Sequence, residues 1–138
     1  MFMQAKKFEI LEHTADLRIR AFGKDKKQVF ENLMLGMQAS LRPKIISRRV
    51  KTRIEIKSED LESLLVDFLS EINYLNEVNN EIYQKIIFDK FLDTELEAEL
   101  FGKKAARFGL QIKGVTFHNL DIHQNQDGSW QATILFDI

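Results

Sequence analysis

The chain has no cysteine, and that one absence excludes disulfides, thiolate metal sites and a cysteine nucleophile. Proline occurs once, at Pro43, and no Pro/Gly-rich linker or internal repeat divides the 138 residues. A single domain over residues 1–138 is the natural expectation. No apolar run approaches the ~20 residues needed to span a bilayer. The opening segment, Met1 to Lys7, lacks the apolar stretch of a secretion signal, so a cytoplasmic location is expected, without membrane contact. Charge of one sign is also missing: the formal net charge is -1, which by itself predicts neither nucleic-acid nor membrane binding. Two local basic clusters stand out, Arg48-Arg49-Val50-Lys51 with Arg53, and Lys103-Lys104 with Arg107. Each reads first as a solvated strand or loop.

What is present is alternation and helical periodicity. Leu17, Ile19 and Ala21 alternate with Asp16, Arg18 and Arg20, the period of a half-buried strand, so Asp16 begins its polar face. Asp25 offers an N-cap, with Gln28 three residues on to reciprocate. Val29, Phe30, Leu33, Met34, Met37 and Leu41 follow at helical spacing as a core stripe, and Pro43 ends the helix. Val50 to Lys57 alternates as a strand. Ser58 or Asp60 then caps a second helix, with Leu61, Leu64, Leu65, Phe68, Leu69, Ile72 and Leu75 on its apolar face. Strands follow at Ile82 to Phe91 and Thr94 to Phe101, with Lys103 to Gly109 as a basic connector. Asp127-Gly128 is a two-residue hairpin signal between Val115 to Gln124 and Ser129 to Phe136. The pattern predicts an α+β sandwich: a mixed or antiparallel sheet with two main helices packed on one face.

The common nucleotide and nucleophile motifs are missing. The chain carries no Gly-x4-Gly-Lys-Ser/Thr loop, no Gly-x-Gly-x-x-Gly and no Gly-x-Ser-x-Gly. His13, His118 and His123 lack zinc-motif spacing. Thr116 and His118 are expected on one side of a strand, where the histidine suits a ligand, a proton relay or a buried hydrogen bond. Acidic groups occur at both ends of the chain, in Glu12-His13-Thr14-Ala15-Asp16 and in Phe136-Asp137-Ile138. If folding joins them, Asp16, Asp137 and the main-chain carboxylate of Ile138 form an oxygen-rich site of the kind a hard divalent cation prefers. The competing reading is two solvated carboxylates at strand ends.

Four segments together resemble the archease family: Phe8 to Gly23, Leu64 to Leu75, Ile112 to His118, and Phe136-Asp137-Ile138. They fall in the family's order and span the chain. Two departures stand out: Arg18 occupies a position where the family often has glycine, and the connector before Ile112 matches poorly. The resemblance implies a non-enzymatic accessory protein of RtcB-type RNA ligases, which use GTP and a divalent metal to join RNA ends in tRNA splicing and repair. Such a protein promotes guanylylation of the ligase and its multiple turnover. It also implies that Asp16, Asp137 and Ile138 are metal ligands, for Ca²⁺ or, in function, Mg²⁺ or Mn²⁺. Glu12, His13, Lys113 and His118 would support the metal or touch the partner. No nucleotide would bind this chain, and tRNA or broken RNA would be reached through the ligase. Two readings compete: a stand-alone metal-dependent phosphoesterase with His118 as base, and a general RNA-binding or chaperone-like module.

Overall fold

Period-two burial sets up most of the molecule. The structure, a computed structural model, describes residues 6–12 and 16–138, Glu12 by its main chain alone. In chain order the elements are β1 (Phe8–Glu12), β2 (Asp16–Gly23), α1 (Lys26–Ser40), β3 (Pro43–Lys57), α2 (Leu61–Asn79), β4 (Glu81–Phe91), β5 (Glu95–Phe108), β6 (Gly114–Gln124) and β7 (Trp130–Asp137). The α+β class holds, with antiparallel pairing throughout the described strands. The strands form two sheets rather than the single one expected: β1-β2-β7-β6 and β3-β5-β4. Helix α1 touches β1, β2 and β7 of the first sheet and β4 of the second, while α2 touches β6 of the first and β3 and β4 of the second. The helices therefore serve both sheets. None is long and apolar enough to cross a membrane.

Caps and burial, not terminal charges, hold α1. The Asp25 carboxylate accepts the Gln28 N–H at 2.9 Å, and the Gln28 side chain accepts the Lys24 N–H at 2.7 Å. Its first turn has no acidic residue and its last turn no basic one, so the macrodipole gains nothing there. Instead Val29, Phe30, Leu33, Met34 and Met37 are all fully buried. Each such side chain contributes about 1.5–3 kcal/mol. Asp60 caps α2 by accepting the Ser63 N–H at 2.8 Å. Phe30 of α1, Phe68 of α2, and Phe88 and Phe91 of β4 close an aromatic ring of contacts, two of them edge-to-face.

A buried polar joint also links these elements, and no sequence pattern announces it. Gln38 and Asn76 exchange reciprocal amide hydrogen bonds of 2.9 and 2.8 Å. Gln38 further accepts the Tyr83 N–H at 2.8 Å, and Asn76 donates to the Glu81 carbonyl at 2.7 Å. The Tyr83 hydroxyl donates to the Glu81 carboxylate at 2.6 Å, which Lys104 approaches at 3.2 Å. Burial, and then the hydrogen bond to the Glu81 carboxylate and its charge, push the Tyr83 phenol above its ordinary range.

Three element boundaries depart from the alternation. β5 runs on through Phe108, so Lys103 to Gly109 is strand for most of its length rather than connector. β3 begins at Pro43, well before Val50, but its ladder slips between Ile45 and Arg49. The last hairpin closes by Asn125 N–H to the Ser129 carbonyl, with Gly128 at φ 90°, so the loop is one residue longer than the Asp-Gly pair alone.

Candidate metal centre

Strand order brings the acidic ends together. β7 lies between β2 and β6, and its register with β2 sets Asp16 directly opposite Asp137. The next pair, Leu17 with Phe136, is buried against the helices, which fixes the phase of both strands. Asp16 and Asp137 therefore project from the opposite, outward face. Directly opposed residues of an antiparallel pair hold their Cβ atoms about 4.5–5.5 Å apart, close enough for two carboxylates to share one cation. Asp137 is exposed and Asp16 half-buried; Asp16 opens β2 and Asp137 closes β7, at the same end of the sheet.

β6 completes the row. Gly114 is the register partner of Asp137 on its other side, and the Lys113 N–H donates to the Asp137 carbonyl at 2.7 Å. A Cβ on Gly114 would meet nothing within 4 Å, so the flank of Asp137 is open there. Ile138 is half-buried and packs on the core, which anchors the chain beside Asp137. The donor set is all oxygen, both of its side-chain members charged, and this suits Ca²⁺, Mg²⁺ or Mn²⁺ better than a soft metal. Among the described residues, no three Asp, Glu or His side chains gather as a metal-binding group. The row thus supplies two side-chain carboxylates, and any further donors are main-chain oxygens or water.

The supporting residues fare differently. Glu12 is the last residue of β1, in register with Leu17. His13 lies outside the described residues. Lys113 is exposed and touches the site through its main chain. His118 departs from expectation. Between Thr116 and Asp121 the β6–β7 ladder slips, with Phe117, His118, Asn119 and Leu120 opposite Ile134 alone. Asn119 has φ 53°, and both Phe117 and His118 are exposed, so strand alternation does not put His118 with Thr116. Its N–H donates to the Thr116 hydroxyl at 3.3 Å, and among the described residues no buried hydrogen bond employs it.

Arg18 is the residue whose importance the sequence pattern understated. It lies two positions from Asp16 on the same outward face, in register with Leu11 and Leu135. Its Nε is buried and has no hydrogen-bond partner among the described residues. Two positions along a strand is about 7 Å of backbone, so Arg18 adds a positive charge to the same face as the two carboxylates.

Comparison with known proteins bears on the family and the fold. The family model described as the Archease protein family matches residues 8–138. Protein archease of Methanosarcina barkeri is 38% identical, with all of both chains covered. The solution structure of Methanobacterium thermoautotrophicum protein 1598 superposes with a TM-score of 0.69 at 28% identity, covering 95% of this chain and 98% of that one. A Thermotoga maritima archease, described as a possible chaperone, shares the fold with a TM-score of 0.62 at 20% identity, covering 100% and 99%. The chain belongs to the archease family.

Proposed function

We propose that this protein is a non-enzymatic accessory factor that activates an RtcB-type RNA ligase in the cytoplasm, promoting guanylylation of the ligase and its multiple turnover in tRNA splicing and RNA repair. Family membership supports the class of activity. The observation that carries the site is the cross-strand pair Asp16–Asp137 at the open end of β2 and β7. These carboxylates would hold a divalent cation, with the main-chain carboxylate of Ile138 as a third donor carried over from the family resemblance. When bound, the cation supplies positive charge that neutralises phosphate oxygens in a partner's nucleotide site. The protein's own part is positional. The buried Leu17–Phe136 pair fixes the two strands, Lys113 pins the Asp137 carbonyl, and the row projects where a partner's cleft can receive it.

A single-turnover guanylylation assay with the cognate ligase tests this. Asp16→Ala and Asp137→Ala should each reduce stimulation at least tenfold, the scale of losing one charged donor from a metal site. Variants that fold normally and stimulate like the parent protein would remove the proposal.

A further inference from the structure

The two basic clusters of the sequence, far apart along the chain, meet across β3 and β5. Arg49 stands opposite Lys103, and Lys51 opposite Phe101, while Lys85 of β4 flanks Phe101 on its other side. Leu100, the residue before Phe101, is fully buried, so Phe101 and its lysine neighbours occupy the outward face of the sheet. The Lys51 and Lys85 ammonium groups lie 5.7 and 5.6 Å from the centroid of the Phe101 ring. Together with Arg49 and Lys103 they line a groove of about 430 Å³ whose remaining lining is uncharged.

The rest of this sheet face makes the groove unusual. Toward its other end the charges are neutralised: Arg53 pairs with Asp89 and Glu97, and Lys57 and Lys90 with Glu95. Within the groove only Lys51 has a carboxylate, Glu99 at 3.0 Å. Arg49, Lys85 and Lys103 have none among the described residues, and Arg49 faces Lys103 as a like-charged cross-strand pair. Such a pair is unfavourable in the free protein and is relieved by an anion. A near-zero net charge conceals this local field.

We infer that this groove binds single-stranded nucleic acid, with phosphates on Arg49, Lys85 and Lys103 and a base stacked on Phe101. An acidic peptide would satisfy the cations but make no use of the ring. A single strand uses both, because every base has a face to stack and every linkage a charge to neutralise. The two ammonium groups over the ring give way to the base as the phosphates draw them outward. The groove lies on β3-β5-β4, whereas Asp16 and Asp137 lie on the other sheet, so the inference does not rest on the ligase reading.

The test is fluorescence anisotropy with a labelled oligouridylate of about ten nucleotides, titrated across a salt series. The parent protein should bind at low salt with a slope of log K against log salt near about -2, three phosphates at about -0.7 each. Lys85→Gln with Lys103→Gln should weaken binding more than about tenfold and flatten the slope to about -0.7. Phe101→Leu should weaken it roughly tenfold with the slope unchanged. Lys57→Gln, in the neutralised half, should bind like the parent. Melting curves establish that each variant folds, and competition by oligoglutamate decides the matter should Phe101→Leu fail to fold. No binding at low salt, full binding by folded Phe101→Leu, or equal competition by oligoglutamate would each overturn the inference.

Discussion

At the scale of single residues, two strand glycines that look alike in the sequence do opposite work. β4 bulges where Tyr83 pairs with Gly102 and Lys85 with Phe101, leaving Gln84 over. A Cβ on Gly102 would lie 1.8 Å from the Ile82 carbonyl oxygen, and the obstacle is strand backbone paired to β5, which cannot swing aside as a flexible side chain would. Gly102→Ala should therefore cost about 3 kcal/mol or more. Gly114→Ala should change stability by no more than about 0.5 kcal/mol, since a Cβ there meets nothing. Urea midpoints of the two variants make the comparison, and similar midpoints would refute the steric account. Alternation cannot show such a difference. A bulge is a property of two strands together, and it also makes the residues after Phe101 read as a connector. Asp25, Asp60 and the Asp-Gly turn were legible because their chemistry is local, between neighbours in sequence.

At the scale of elements, the buried amide joint ties α1, α2 and β4 together through hydrogen bonds that share partners. Replacing Gln38 by Leu strands the Tyr83 N–H and one Asn76 partner, while Asn76→Leu strands the Glu81 carbonyl and one Gln38 partner. Each single change should cost about 2–3 kcal/mol, the penalty of a buried polar group left unmade. The double change should cost roughly 1 kcal/mol less than the sum, because it removes both ends of the reciprocal bond at once. Chemical denaturation of the four proteins in the cycle measures the coupling, and strict additivity would count against it. The helical stripes predicted these two helices well. They could not reveal that Gln38 and Asn76 meet, since each reads as an ordinary polar interruption of an apolar pattern. The first half of β3 was likewise hidden, because Lys44, Ser47, Arg48 and Arg49 face outward around a slipped ladder and carry no alternation.

At the scale of the whole molecule, the candidate site exists because β7 enters the first sheet between β2 and β6. No local pattern specifies that insertion. The alternation of β2 and β7 fixes which face each residue takes, and strand order then decides that Asp16 meets Asp137. The pairing has a thermodynamic signature of opposite sign with and without cation. In a chelator, two opposed carboxylates repel, so Asp137→Asn should be at least as stable as the parent, by up to about 0.5 kcal/mol. With Ca²⁺ or Mg²⁺ at a hundred times its dissociation constant, binding to the folded state should stabilise the parent by about 2.7 kcal/mol, roughly 10 °C in melting temperature. The variant should lose most of that gain, so the order of the two proteins reverses as cation is added. Calorimetry in chelator and in a cation series reads both halves. A cation that raises both melting temperatures equally would place its binding site away from this strand pair, and the first sheet would then owe its acidic row to solvent rather than to a metal.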